Sequence, residues 1–479
     1  MEIVLTSRNL TNLLLTSVLV MAVQSAEAVD RFVDGDSGSD AGNNCTNTGN
    51  PCDSVSRAID VAVAGDTIRI ADAVYTEILQ VDKALVLRGE SVAGTIIQAA
   101  TERGQASDRT ISVDDDVALQ LSDLTIRHGN TNLNGGGLRS FGGDLLIERV
   151  TFTSNDADGQ GAGLASGENV IVMNDVVFRD NGNSDTSEGG GARLGENFQP
   201  SDVTLNNVMF ENNAAGGSGG GLQLFRAQAV LRNVAFIGNT SIQTNGGGLS
   251  YIGGGGITAS TLELRDSVFI GNSAADGSGG GMDTTFDTPY TMVNVLFSGN
   301  RANLGGGLYN QGGTDAERIL TNVTMTGNRA TLRGGAIDKP RDMTFRNTII
   351  WNNRDVTGIG TPEATMDDFF SGDILEVSNS LLQGYPANEF PGSKNLDGTD
   401  SANNPLFRDA VNPGGAPSLA GNLRLQQDSP VRDQGNNSFV AGVGTDLDGE
   451  ARIFGGTVDL GPYEGTDLIF ADGFEDSAF

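Results

Sequence analysis

Histidine is almost missing from this 479-residue sequence: His128, in "TIRHGN", is the only one. That excludes a His-rich metal centre and confines any Ser-His-Asp triad to one position, and no Gly-x-Ser-x-Gly motif in a hydrolase-like context supplies the serine. His128 therefore reads as a surface turn residue. Tryptophan is limited to Trp351 and tyrosine to 6 residues. Glycan-processing enzymes usually draw on Lys, Tyr, Trp and His, so this scarcity weighs against catalysis on a sugar. Positive charge is also short, with 29 Lys and Arg against 61 Asp and Glu and a net charge of -32. Such a surface offers little to a nucleic-acid backbone, and it disfavours tight binding of polyanionic glycans unless a cation bridges the two. No apolar run approaches the ~18 residues of a membrane-spanning helix.

The short apolar run that does exist has another reading. Arg8, "LLLTSVLVMAV" (13–23) and the small-x-small "AEA" (26–28) form a signal peptide, residues 1–28, with cleavage expected after Ala28. An exported chain meets an oxidising compartment. Cys45 and Cys52, the only two cysteines, lie close together in "NNCTNTGNPCD" and are expected to form a disulfide that staples a polar loop.

Glycine is abundant at 68 residues, about twice its usual ~7% share, without a collagen period. It clusters in a repeat. "NVAFIGN" (233–239) recurs as "RVTFTSN" (149–155), "DVVFRDN" (175–181), "NVMFENN" (207–213), "DSVFIGN" (266–272), "NVLFSGN" (294–300) and "NVTMTGN" (322–328), with looser copies at 123–129, 347–353 and 379–385. Successive copies are 25 to 33 residues apart, and between them sit "NGGGL", "EGGGA", "SGGGL", "SGGGM", "LGGGL" and their kin. The glycines begin 5 to 8 residues after each Asn, whereas the stretch from glycines to the next Phe varies from 14 to 21. One corner is tight and another side accepts insertions. Alternations such as "VTLNNVMF" and "LELRDSVF" indicate strands.

A repeat of about 25 residues with three short strands and small-residue corners is one rung of a parallel β-solenoid. The expected fold is all-β, a single-stranded right-handed parallel β-helix with a short N-terminal capping helix. In this reading each Phe points inward, so that rings stack from rung to rung. Glycines supply positive φ and close backbone approach at the corner. The Asn three residues after Phe sits at a turn and bonds backbone or the next rung's amide. A second Asn/Asp column lies three residues before Phe, broken only by Arg149.

The paired glycine and Phe-x-x-Asn motifs resemble the repeats of the polymorphic outer membrane protein family and, more broadly, bacterial right-handed β-helices of the pectate-lyase-like superfamily. The resemblance covers roughly residues 120 to 385. Residues 29–70 are similar to the N-terminal cap of such proteins. In "SVSRAIDVAVAG", Val55, Ala58, Ile59, Ala62 and Val63 make one apolar helix face, with Asp53 or Ser54 as N-cap and Gly65 as the stop. Residues 404–464 resemble the choice-of-anchor Q closing module, and "DLIFADGFEDSAF" resembles an acidic tail of exported Gram-negative proteins. The expected layout is signal peptide 1–28, cap 29–70, β-helix 71–385, closing segment 386–465 and tail 466–479. The sequence departs from these families in lacking a series of ~10-residue alternating strands after residue 385, and the pectate lyase calcium and arginine motifs are unmatched. The resemblance implies fold rather than chemistry.

Strand alternation places the residue after each glycine-cluster Leu on the outer face: Arg139, Ala165, Arg193, Gln223, Ser250, Asp283, Tyr309 and Asp338. Asp283 and Asp338 are the candidate catalytic acid and base, with Tyr309 as a sugar-stacking face and Lys339 or Arg341 orienting a hydroxyl or carboxylate. Two rungs apart, the aspartates would stand about 10 Å from each other, just beyond the ~6.5–9.5 Å of inverting glycosidases. No metal site is assigned. Calcium is conceivable, but "DDD" (114–116) and "DLDGEAR" (446–452) lack the spacing of a calcium loop. The functional expectation is a secreted or cell-surface protein of a Gram-negative bacterium that presents a rigid face for adhesion or glycan binding. A polysaccharide lyase or glycoside hydrolase is the alternative.

Overall fold

The structure, a computed structural model, describes residues 28–196, 200–254, 260–286, 288–312, 316–369 and 375–465. The expected signal peptide, apart from Ala28, and the expected acidic tail thus lie outside the described residues. The chain is a right-handed parallel β-helix. Its wall consists of a 17-stranded and an 11-stranded sheet, with a 5-stranded strip at one corner. Pairing between successive rungs is parallel and in register: Phe152 opposes Phe178, Phe178 opposes Phe210 and Phe210 opposes Phe236.

Each rung follows the repeat. A short strand leaves the glycine corner, as in Leu222–Phe225. After a variable loop comes a long strand, as in Ala227–Ile237, that kinks partway along. The kink is the Asn/Asp column: Asp123, Arg149, Asp175, Asn207, Asn233, Asp266, Asn294, Asn322, Asn347 and Asn379 all have φ between 49° and 60°. Asn and Asp tolerate this left-handed conformation better than other side chains. The column therefore turns one long strand onto two walls, which the repeat pattern alone did not disclose.

The interior bears out the sequence reading. Phe152, Phe178, Phe210, Phe236, Phe269 and Phe297 are fully buried, with centroids 4.5–5.1 Å apart and planes within 8° of parallel. Beside them runs an asparagine ladder from Asn155 to Asn353. Asn213 shows the pattern: its Nδ2 donates to the Phe178 carbonyl at 2.8 Å and to Asn239 Oδ1 at 3.0 Å. Its own Oδ1 accepts from the backbone N–H and Nδ2 of Asn181, both at 3.0 Å. Every polar atom of the buried amide is satisfied, so the ladder costs nothing in orphaned groups. The corner is equally constrained. Gly219 has φ 75°, and a Cβ on Gly220 would collide with the backbone of Thr240 and Gly247.

At the N-terminal end, helix α1 (Val55–Val61) seals the first rung. Ser54 is the N-cap, its Oγ accepting from Arg57 N at 3.1 Å, and Glu77 accepts from Val55 N and Ser56 N. Val55, Ala58 and Ile59 reach the core. Val63 does not: it is 43% exposed, because the helix ends at Val61 and the chain turns to meet Asp66, whose Oδ2 accepts from Val63 N. Cys45 and Cys52 are disulfide-bonded and buried.

The C-terminal segment lies along the flank of the solenoid. Phe407, Val411, Leu423, Leu425, Val431 and Leu460 pack on Ala235, Val268, Leu296, Ile349 and Trp351, outward-facing positions of the long-strand sheet. The kink column anchors it. Asn294 Nδ2 donates to the Thr445 carbonyl, Asn322 Nδ2 to the carbonyls of Asp459 and Gly461, and Asn379 Nδ2 to that of Gln434. A buried Arg452–Glu464 pair at 2.5 Å ties the segment internally, and Arg452 Nη1 also donates to Asn294 Oδ1. Within "DLDGEAR", Asp446 accepts from the backbone N–H groups of Asp448, Glu450 and Glu464. Its oxygens organise a turn.

Candidate functional site

The row read from strand alternation exists. Arg193, Gln223, Ser250, Asp283, Tyr309 and Asp338 stand side by side on consecutive strands of the 11-stranded sheet. Leu222, Leu249, Met282, Leu308 and Ile337, one residue earlier, are buried in the core. The row accordingly lies on the opposite face.

Its exposure does not match the expectation. Asp283 is 1% exposed and Asp338 0%, and Gln223, Ser250 and Tyr309 are buried with them. Alternation fixes which face a side chain takes, but burial of that face depends on what packs over it. Asp283 sits tight against the corner, where its Oδ1 would clash with a Cβ on Gly246. Among the described residues that oxygen has no hydrogen-bond partner and no cation pairs with it. Burial pushes its carboxyl up to about 7, only partly offset by Ser250. Asp338 is likewise raised to about 7 by burial, against the pull of Arg333, whose Nε lies 3.0 Å from Oδ1 but out of line for a hydrogen bond. Arg333 reaches Asp368 as well, at 2.8 Å.

Tyr309 and Lys339 meet: Nζ donates to the phenol oxygen at 3.0 Å and stands 5.0 Å from the ring centroid. The lysine thus holds the hydroxyl end of a ring that was expected to stack on a sugar and that is itself buried. Arg341 leaves the row. It is buried beyond the strand end, and its carbonyl accepts from Arg318 Nη1 at 2.8 Å. One neighbour escaped the sequence reading. Asp367 pairs in register with Asp338, extending the row by a rung. No glycine cluster announces it, because a short helix, Pro362–Thr365 with Thr361 as N-cap, makes that corner instead.

No group of three or more His, Cys, Asp or Glu among the described residues is arranged to hold a metal ion. His128 is a half-buried turn residue with φ 59°, its Nδ1 3.1 Å from the Ala100 carbonyl.

The chain is thus a solenoid with a shielded polar row on one sheet. Residues 294–311 match the Chlamydia polymorphic membrane protein repeat, a stretch that spans one Phe-x-x-Asn and the glycine corner after it. No curated protein matches the sequence. Among solved structures it is similar to the pectate lyase Pel9A, at 12% identity over 92% of this chain and 97% of that one, with a TM-score of 0.42. XylC, in complex with xylose, is similar at 9% identity over 91% and 98%, with a TM-score of 0.44. The tailspike gp49 of Acinetobacter baumannii bacteriophage Fri1, a capsular polysaccharide depolymerase, is similar at 12% identity over 77% and 60%, with a TM-score of 0.36. Likeness at this level bears on neither activity nor substrate.

Proposed function

We propose that the protein is an exported β-helix, secreted or held at the surface of a Gram-negative bacterium, that binds a glycan or other cell-surface ligand on its rigid outer wall without processing it. The carrying observation is the inaccessibility of Asp283 and Asp338. A sugar chain laid on the wall meets neither carboxyl, so the expected acid and base are out of reach of a glycosidic bond. The first half of the long-strand sheet stays open. There Glu148, Asn174, Asn206, Arg232 and Arg265 form an in-register row that reaches solvent. Hydrogen-bonding groups repeated every ~4.8 Å suit an extended polymer. The leader at 1–28 and the Cys45–Cys52 bridge support export, and the C-terminal segment is read as a choice-of-anchor Q-like closing module. No described helix is long and apolar enough to cross a membrane.

One observation favours the enzymatic alternative: two carboxyls that titrate near neutrality on one row. A glycan array, followed by reducing-end and unsaturated-uronate assays with and without Ca²⁺, tests the proposal. Binding without product is expected. Product that disappears in the D283N/D338N double variant would make the chain an enzyme.

A further inference from the structure

The C-terminal segment, residues 404–465, crosses the flank of the solenoid as a strap, and the wall beneath carries a lane made for it. The residue before each ladder asparagine has a positive φ: 55° at Ser154, 55° at Asp180 and 53° at Asn212, then 64° at Gly238, 63° at Gly271, 62° at Gly299 and 68° at Gly327. The first three positions show that this corner accepts a side chain, so the backbone turn alone does not call for glycine at the last four. Close approach does. A Cβ on Gly271 would collide with Leu419, one on Gly299 with the Ser418 carbonyl and one on Gly327 with Val411. Glycine marks the rungs that the strap crosses.

The wall does not depend on the strap. Asn207, in a rung before it, makes the same kink as Asn294, and its Nδ2 donates to Asp175 Oδ1 at 3.0 Å. Beneath the strap, Asn294 Nδ2 keeps the matching bond to Asp266 Oδ1 at 2.7 Å and gives the Thr445 carbonyl a second one. The strap's bonds are thus added to a column that is complete by itself. Its apolar contacts form a cluster apart from the interior core.

Charge is poorly balanced at this interface. Asp446, Asp459 and Glu464 are buried, and Arg452 is the only buried cation of the strap among the described residues. Arg452 donates to Glu464 Oε1 and, across the interface, to Asn294 Oδ1. From the solenoid, Asp266 faces the same guanidinium, with Arg265 and Arg232 near it. On the strap, Asp448 adds to the negative field at Asp446, and Arg432 offsets part of that at Asp459. One guanidinium cannot balance three carboxylates out of water. Burial therefore raises Asp266, Asp446 and Asp459, and it holds Glu464 up to about 7 from an ordinary 4.5, against the pull of Arg452 and with the push of Asp459. Docking takes up protons, so its contribution from Glu464 is full below pH 4.5 and is lost as pH rises through about 7.

We infer that residues 404–465 are a pH-sensitive strap, held on the flank in acidic medium and released from it in alkaline medium with the rungs intact. Release uncovers the apolar lane of Val268, Leu296, Ile349 and Trp351. One carboxyl moved as far as that of Glu464 changes the docking constant about 30-fold between pH 5.5 and 9.

Hydrogen exchange on the full chain, with protection corrected for the intrinsic rate at each pH, tests this. The Ser418 and Gly461 amides bond the strap to the wall at Gly299 and Asn347, whereas the Asn181 and Asn213 amides bond rung to rung. At pH 9 the strap amides should be at least tenfold less protected than the rung amides, and their own protection should fall at least tenfold from pH 5.5 to 9. Equal protection of the two sets at pH 9 overturns the proposal. E464Q keeps an acceptor for Arg452 without the titrating carboxyl, so the fall should shrink to less than threefold; an undiminished fall overturns it too. G299N installs the residue that the open rung carries at Asn212. It should strip protection from Ser418 and Gly461 and shift Trp351 emission to longer wavelength while Asn181 and Asn213 stay protected. Loss of protection at all four means that the strap cannot leave intact rungs, and the proposal fails. Where E464Q opens the strap at every pH, titration of the parent against G299N decides. The parent should take up protons between pH 5 and 7 that G299N does not, and equal uptake overturns the proposal.

Discussion

Asp283 and Asp338 carry outward-facing carboxyls into surroundings that water does not reach, and a stability profile follows from that. The ordinary value for each is 3.8, and burial raises both to about 7. Between about pH 4 and 7 the folded chain holds protons that the unfolded chain has released. Their contribution is then fully present below pH 4, falls by about 1.4 kcal/mol per pH unit and group as pH rises, and levels off above 7. Asp283, which has no cation partner among the described residues, is the cleaner case. D283N is expected to melt well above the parent at pH 8 and close to it at pH 4.5 by scanning calorimetry. An equal gap at both pH values would show that the carboxyl is not held protonated. At this scale the sequence was a good guide to Phe236 and Asn239, whose roles repeat through the central rungs and need only local spacing. It misjudged the exposure of Asp283, whose carboxyl is buried against the glycine corner of the neighbouring rung.

Among the elements, the placement of the C-terminal segment was not legible in the sequence. Asn294 and Thr445, bonded to each other, are 151 residues apart, and no periodicity connects them. Trp351, the only tryptophan, lies in the cluster that this segment completes and is nearly buried. Leu460→Ala should therefore destabilise the protein by about 2–4 kcal/mol and shift Trp351 emission to longer wavelength before the main unfolding transition. Unchanged emission would mean that the segment does not shelter the indole. Helix α1 was legible in its cap and its buried face. Its end was not, because Asp66 captures the Val63 N–H and turns the chain out of the helix.

The whole molecule is a stack of nearest-neighbour contacts under a charge of -32. Acidic side chains on successive rungs repel, and at ~0.01 M salt that repulsion reaches about 30 Å. The melting temperature should rise between 10 and ~200 mM salt, equally for sodium and choline chloride, as screening alone requires. Stabilisation by millimolar Ca²⁺ beyond its ionic strength would instead reveal a bound cation. The sequence by itself determined the solenoid, since an aromatic ring, an asparagine and a glycine corner recurring through the central rungs impose the same local geometry each time, and register follows when similar rungs stack. Tertiary structure alone decided which outer surface stays open and where the C-terminal segment docks. Those outcomes depend on packing between residues far apart in the chain, which a local pattern cannot encode.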